Sequence, residues 1–307
     1  MILTNRSQIR ELLTRHGFTF SKALGQNFIV NPSICPRMAQ EGGARPGAGV
    51  LEIGAGIGAL TAELAARADK VVCVELDSRL LPILDETLAG YSNVKIVNQD
   101  VLKVDLHRLL REEFGPMPVA VCANLPYYIT SPILMRLLEE RLPVESVTVM
   151  VQKEAAQRIC ARPGTRESGA VSAAVSYYSQ PRVLFPVSRG CFLPPPNVDS
   201  CVIRLDLRSQ PPFEVEERRF FQVVRAAFAQ RRKTAANSLS HGLPIPKEQA
   251  AQAIAQAGLP PSVRPEQLTL EDFYRLTLAL CQAQPSQGGL PGQGGLPDQG
   301  GLPDRGG

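Results

Sequence analysis

The sequence predicts an α/β protein: a mostly parallel sheet with helices on both faces, followed by a smaller all-helical unit. Three observations predict it. From residue 50 short apolar runs alternate with amphipathic segments, as strands joined by crossover helices do. The first run ends in a glycine cluster that opens a helix, "VLEIGAGIGAL" (50–60). After about residue 210 the strand-like runs stop, and helical patterns separated by proline-rich breaks take over.

The candidate strands are "VLEI" (50–53), "VVCVE" (71–75), "VKIVN" (94–98), "VAVCA" (119–123) and "SVTVMV" (146–151). Each is a short, β-branched run bounded by turn residues. Between the first two, "ALTAELAARA" (59–68) sets Leu60, Leu64, Ala65 and Ala68 at helical spacing. A further strand pair is expected near "AVSAAVSYYS" (170–179) and "SCVIRLDL" (200–207), the latter alternating as a half-exposed edge does. Beyond it, 213–239, 247–258 and 269–282 read as helices, the last with Thr269 as N-cap and Asp272 three residues on. The expected boundaries are 1–209 for the arm and sheet unit and 210–285 for the helical unit. Residues 286–307 form a tail whose three Gln-Gly-Gly-Leu-Pro hexads bury too little apolar surface to offset chain entropy, so disorder is expected there.

A chain of 307 residues is long enough for a sizeable core, and 44% apolar with 20% charged residues is ordinary for a globular protein. The net charge of +4 permits an anionic partner without demanding one. Seven cysteines, none spaced as CxxC, read as small buried residues of a reducing compartment, and no metal site is expected. No apolar run approaches the ~20 residues of a membrane span. The expectation is a soluble, cytoplasmic protein with no membrane partner.

Gly54, Gly56 and Gly58 make GxGxG, one residue tighter than the pattern of dinucleotide binders. Glycines at a strand-to-helix turn let backbone approach a ligand closely, and a tight turn alone would explain them equally. Two acids add to the pattern. Glu75 ends the second strand, seventeen residues past Gly58, where a carboxylate accepts both hydroxyls of a ribose. Asp100 lies just beyond the third strand, at the same carboxyl edge, where it can accept from the exocyclic amine of an adenine. A ligand with adenosine but no pyrophosphate fits best. The combination resembles the class I S-adenosylmethionine-dependent methyltransferases, which implies a Rossmann-like fold with a seven-stranded sheet and S-adenosylmethionine as cofactor.

The fourth strand ends in "NLPYYITSP" (124–132). Methylating the N6 amine of adenine requires drawing its lone pair out of the ring, so acceptors must be aimed at its N–H bonds. The side-chain oxygen of Asn124 and the carbonyl of Leu125 supply two. Pro126 fixes its own φ and restricts Leu125 to extended geometry, which holds that carbonyl in place. Tyr127 offers a flat face to a base swung out of its helix, worth ~1–3 kcal/mol per stacked base. Thr130 or Ser131 is expected to cap the following helix, with Pro132 in its first turn.

Six blocks in order, "KALGQNFIVN" (22–31), "LEIGAGIGALT" (51–61), "NLPYYITSP", "VQKEAAQRI" (151–159), "FLPPPNVDSCVIRL" (192–205) and "FAQRRKTAANSL" (228–239), are together similar to the KsgA/RsmA (Dim1) family of small-subunit rRNA adenine dimethyltransferases. The resemblance implies transfer of four methyl groups to two adjacent adenosines of the 3′-terminal rRNA hairpin, late in ribosome assembly, by a monomer acting on an immature small subunit. It also implies that Asn27 and Ile29 contact the cofactor from the N-terminal arm, with Gly54, Glu75, Asp100 and Asn124 completing the site, and that Phe192 stacks on the target adenine opposite Tyr127. Ile29 stands where the family usually has leucine, and "KTAANSL" lacks the usual leucine-arginine after its Lys-Thr.

RNA contact is expected from Arg218, Arg219, Arg225, Arg231, Arg232 and Lys233, a run free of acids whose Phe220, Phe221, Val224 and Phe228 make an apolar stripe on the same helix. Arg6, Arg10, Arg15 and Lys22 form a possible second patch. The nearest rival is a large-subunit rRNA adenine-N6 methyltransferase, which typically carries Asn-Ile-Pro-Tyr and lacks "FLPPPNVDS". A DNA adenine methyltransferase would need a target-recognition domain, and a dinucleotide-dependent oxidoreductase would need GxGxxG and a second nucleotide half. A non-catalytic assembly factor on the same fold is the fourth alternative.

Overall fold

A computed structural model describes residues 2–21, 24–230 and 232–282. Helices α1 (Arg6–Arg15) and α2 (Ile34–Glu41) flank a two-residue strand, β1 (Phe28–Ile29). The main sheet then opens with β2 (Gly49–Ile53), α3 (Ala59–Ala65), β3 (Lys70–Glu75), α4 (Leu81–Thr87), β4 (Val94–Asn98), α5 (Leu106–Phe114) and β5 (Val119–Asn124). It continues through α6 (Thr130–Glu139), β6 (Ser146–Gln152), α7 (Lys153–Ile159), α8 (Ala170–Tyr178), β7 (Ser179–Val187), the short β8 (Phe192–Leu193) and β9 (Ser200–Leu207). Four helices close the described chain: α9 (Glu217–Ala227), α10 (Ala235–Gly242), α11 (Lys247–Gln256) and α12 (Leu270–Gln282).

The seven-stranded sheet runs β4-β3-β2-β5-β6-β9-β7, with β4 through β6 parallel and β9 antiparallel to both of its neighbours. Its strands alternate between two apolar cores, as a pleat with period two requires. Leu51, Ile53, Val72, Val74, Val119 and Val121 face one core, while Val50, Val71, Cys73 and Cys122 face the other. The first core continues without a break into α9 to α12. The second is covered by α1 to α4 and by the arm strand β1, which pairs with β8.

Three expectations about elements are corrected. The run 170–179 is not a strand: Ala170–Tyr178 is helix α8, begun where the Gly169 N–H donates to Ser172 Oγ (2.6 Å). A short, mostly buried apolar run carries no periodicity that distinguishes the two states. β9 is no edge, because β7 pairs outside it, and most of its residues are buried. The single helix read over 213–239 is two, α9 and α10. Gly242 of α10 packs so closely on α9 that a Cβ there would lie 2.8 Å from Ala226 Cα, so the chain must turn back between them. The cap of the last helix is as expected, Asp272 N–H donating to Thr269 Oγ1 (3.1 Å) and Thr269 N–H to Asp272 Oδ2 (2.9 Å). The tail lies outside the described residues. Among those residues no helix is long and apolar enough to cross a membrane.

Candidate active site

Strand order reverses between β2 and β5, so α3 and α6 leave the sheet on opposite faces and a crevice opens between them at the carboxyl edge. An open cleft of about 870 Å³, counted out to its mouth, fills that crevice. Ile53 pairs with Ala123, which puts Gly54 and Asn124 side by side at its floor. Gly54 (φ +79°) and Gly56 (φ +58°) hold left-handed backbone along the cleft wall. Gly58 does not reach the cleft. Its φ is +86°, and a Cβ there would meet Thr87 Oγ1 at 3.0 Å, so it serves the turn and the approach of α3 to α4.

Glu75 faces the cleft with each carboxylate oxygen already oriented: Oε2 accepts the Gly56 N–H (3.0 Å) and Oε1 the Asp77 N–H (2.9 Å). Burial pushes its pKa up against those hydrogen bonds. Asp100 lines the same wall, with Oδ1 accepting the Leu102 N–H (3.0 Å). Each acid is followed by an apolar residue in the cleft, Leu76 and Val101. Leu76 is 51% exposed, an apolar surface left for a planar ring to cover. Sequence reasoning missed both, although the signal was present as an apolar residue directly after each strand-end acid.

The arm is tied over this site. β1 pairs Ile29 with Phe192 and Phe28 with Leu193. Asp77 accepts from Gln26 Nε2 (2.7 Å) and from Arg79 Nη2 (2.6 Å), and Arg79 holds its carboxyl below the usual range. Arg79 also lies over the Phe18 ring, 5.0 Å from its centre. Asn27 is thereby placed in the cleft, and Ile29, buried in the core behind it, lines a smaller adjoining cavity. That cavity, of about 320 Å³, is also lined in part by Asn27, Glu52, Gly54, Ala55 and Asn124. Glu52 is fully buried, with Oε2 accepting from the Cys73 thiol (3.1 Å), Oε1 meeting no donor among the described residues, and a pKa pushed up to about 7 by burial. Sequence reasoning passed over Glu52 as one letter of a strand.

The loop after β5 takes the shape its sequence suggests, with one exception. Asn124 Nδ2 donates to the Asn27 carbonyl (3.2 Å), which turns Oδ1 away from the arm as an acceptor. No donor meets Oδ1 or the Leu125 carbonyl among the described residues. The Leu125 side chain is buried and Pro126 has φ −58°, so that carbonyl is anchored on both sides. Tyr127 lines the cleft with its hydroxyl on Ser200 Oγ (2.6 Å), and burial raises its pKa. Neither Thr130 nor Ser131 caps α6: Thr130 Oγ1 donates back to the Pro126 carbonyl (3.2 Å), closing the turn instead.

Phe192 is placed otherwise than expected. Its side chain is 0% exposed and packs in the second core, and it does not line the cleft. It holds the arm strand instead, through β8. Of the basic run, Arg218 and Arg225 are exposed on α9, Arg219 is half-buried, and Arg232 and Lys233 are exposed on the turn before α10. Arg231 lies outside the described residues. In the second patch Arg15 is paired with Glu86 (2.6 Å), Arg6 donates to the Gly190 carbonyl (2.6 Å), and Lys22 is not described. Lys153, Arg158, Arg162 and Arg166, all exposed, follow β6 from the same sheet edge as the cleft. Sequence reasoning missed these four because they are widely spaced and Glu154 interrupts the run.

A cleft at the switch point of a mostly parallel sheet, with Glu75, Asp100, Asn124 and Tyr127 in its lining, is the architecture of a class I methyltransferase. The comparisons with known proteins agree. Residues 17–281 match the family model described as ribosomal RNA adenine dimethylase. The ribosomal RNA small subunit methyltransferase A of Geobacillus sp. (strain WCH70) is 50% identical over 276 residues, covering 88% of this chain and 95% of the relative. That of Geobacillus thermodenitrificans (strain NG80-2) is 51% identical over 276 residues, covering 88% and 94%. Among solved structures, a dimethyladenosine transferase from Plasmodium falciparum superposes with a TM-score of 0.69 at 25% identity over 83% of this chain and 98% of that one. The 23S rRNA methyltransferase ErmE superposes with a TM-score of 0.66 at 30% identity over 83% and 100%. The chain belongs to the ribosomal RNA adenine dimethylase family, and its cofactor is S-adenosylmethionine.

Proposed function

We propose that the protein dimethylates the N6 amines of two adjacent adenosines in the 3′-terminal hairpin of small-subunit rRNA, late in assembly, acting as a cytoplasmic monomer on an immature small subunit. One observation carries the catalytic reading: the Asn124 amide is committed through Nδ2 to the Asn27 carbonyl, which leaves Oδ1 and the Leu125 carbonyl, on two residues that line the cleft, without a donor among the described residues. The identity to curated small-subunit enzymes favours the small-subunit substrate.

The cleft suits the cofactor. Glu75 would hold the ribose, Asp100 the adenine amine, and Leu76 and Val101 the ring faces, while Asn27 and the unpartnered oxygen of Glu52 suit an ammonium in the smaller cavity. When bound, S-adenosylmethionine would supply a methyl group carried on a sulfonium, whose S–CH₃ bond breaks to leave the neutral thioether S-adenosylhomocysteine. Asn124 Oδ1 and the Leu125 carbonyl accept the two N–H bonds of the target amine and draw its lone pair out of conjugation. Tyr127, tethered by Ser200, stacks against the flipped base. As the N–CH₃ bond forms the surplus proton leaves to water. Phosphate contacts come from Arg218, Arg219, Arg225, Arg231, Arg232 and Lys233, joined by the cations that follow β6.

Replacing Asn124 separates catalysis from binding. Asn124→Ala is expected to lower methyl transfer to small-subunit particles with unmethylated rRNA by at least a hundredfold, while RNA affinity changes less than threefold. Mass spectrometry of N6,N6-dimethyladenosine after a timed reaction checks it, and full dimethylation by the variant would sink the mechanism. Likeness to a 23S enzyme makes large-subunit rRNA the second substrate to test, and methyl groups found only there would move the assignment.

A further inference from the structure

We propose that Tyr128 is a second base-stacking site, a platform at the mouth of the cleft for the nucleotide next to the one being methylated. The inference rests on the function proposed above. Tyr127 and Tyr128 occupy the single 3₁₀ turn Tyr127–Ile129, where successive side chains diverge by about a third of a turn. Tyr127 is drawn toward the sheet by Ser200, so Tyr128 is turned outward, and both line the same cleft. At 59% exposed, Tyr128 is the most exposed aromatic side chain among the described residues, and its hydroxyl meets no partner there.

The ring nevertheless has a fixed seat. A Cβ at Gly25 would lie 3.4 Å from its Cδ1 and 3.5 Å from its Cε1, and 3.5 Å from Pro126 Cβ, so the ring lies next to the arm at Gly25, where any side chain would touch it. Gly25 itself has φ +58°, a conformation that leaves no side chain in the way. One part of the ring is therefore supported by protein and the rest faces solvent at the cleft rim. Extruding a base removes the stacking partner of its neighbour, and an aromatic face restores that stacking whatever the neighbour's identity. For two adjacent targets the arrangement has a further use: when one of the adenosines enters the cleft, the other is the neighbour that the rim can hold.

The full-length chain, its Tyr128→Ala and Tyr128→Phe variants, and small-subunit particles with unmethylated rRNA give the test. Tyr128→Ala is expected to raise KM for the particles about tenfold, the size of one missing base–aromatic stack. kcat and the Kd for S-adenosylhomocysteine should each change less than threefold, and Tyr128→Phe, which keeps the ring, should restore KM. An unchanged KM in Tyr128→Ala overturns the inference. So does a parallel loss of S-adenosylhomocysteine affinity, which would make the ring a prop for the arm, or a Phe variant as impaired as the Ala one. A wild-type protein that leaves both adenosines unmodified overturns the proposed function and this site with it.

Discussion

Ser200 shows how one residue can govern a site it does not line. It is fully buried at the start of β9, and its hydroxyl lies 2.6 Å from that of Tyr127. Removing it leaves the Tyr127 hydroxyl without its partner and the ring without its tether. A net hydrogen bond is worth roughly 1 kcal/mol, so Ser200→Ala is expected to lower kcat about fivefold while the Kd for S-adenosylhomocysteine changes less than twofold. Tyr127→Phe breaks the same hydrogen bond, so adding it to Ser200→Ala should cost little more. Steady-state kinetics of the two single variants and the double variant check this, and fully additive losses would mean that Ser200 acts elsewhere.

At the scale of the element, β2 carries a charge through the centre of the sheet. Glu52 faces the same core as Val50, in contact with Cys73, and burial raises its pKa from 4.5 to about 7. A carboxyl whose folded pKa is raised stabilises the fold in its protonated form. Its contribution is full below about pH 4.5 and is lost as pH rises toward 7. Glu52→Gln keeps the neutral shape at every pH. Relative to wild type, the cofactor-free variant should therefore gain stability between pH 4.5 and 7, by on the order of 3 kcal/mol. Denaturant unfolding of both proteins at pH 5 and pH 8 measures the difference, and a pH-independent gap would refute it. Binding an ammonium in the adjoining cavity would stabilise the carboxylate, so cofactor should narrow the gap.

Across the whole molecule, one apolar core runs from the sheet into α9–α12. Tyr177 stacks on Phe220 and Tyr178 on Phe221, while Glu217 accepts from both the Tyr178 hydroxyl and Arg141. The helices are thus carried on the sheet's own core, and the cations of α9 and the following turn stand on a surface continuous with it. Replacing Arg218, Arg225, Arg232 and Lys233 together by Gln should weaken RNA binding. It should also flatten the dependence of log K on log salt by roughly 0.7–0.9 for each phosphate no longer neutralised. Binding isotherms at several salt concentrations check it, and an unchanged slope would place the RNA elsewhere, with Lys153, Arg158, Arg162 and Arg166 the next set to replace.

The parallel strands, the glycine turn, Glu75, Asp100 and the loop from Asn124 to Tyr127 were legible in the sequence because each depends on local pattern: a run of β-branched residues, a spacing, a proline. α8 was not, since a buried apolar run looks alike in helix and strand. Nor was the break between α9 and α10, which the close approach of Gly242 to Ala226 imposes. At the site, sequence identified the chemical groups, whereas their orientation came from contacts between residues far apart in the chain. Asn27 turns the Asn124 amide across 97 positions, Ser200 tethers Tyr127 across 73, and β8 buries Phe192, expected to stack on the target adenine, under the arm. A side chain's identity is written locally, but which of its atoms faces the cleft is decided by the partner that satisfies the others, and only the folded chain brings that partner near.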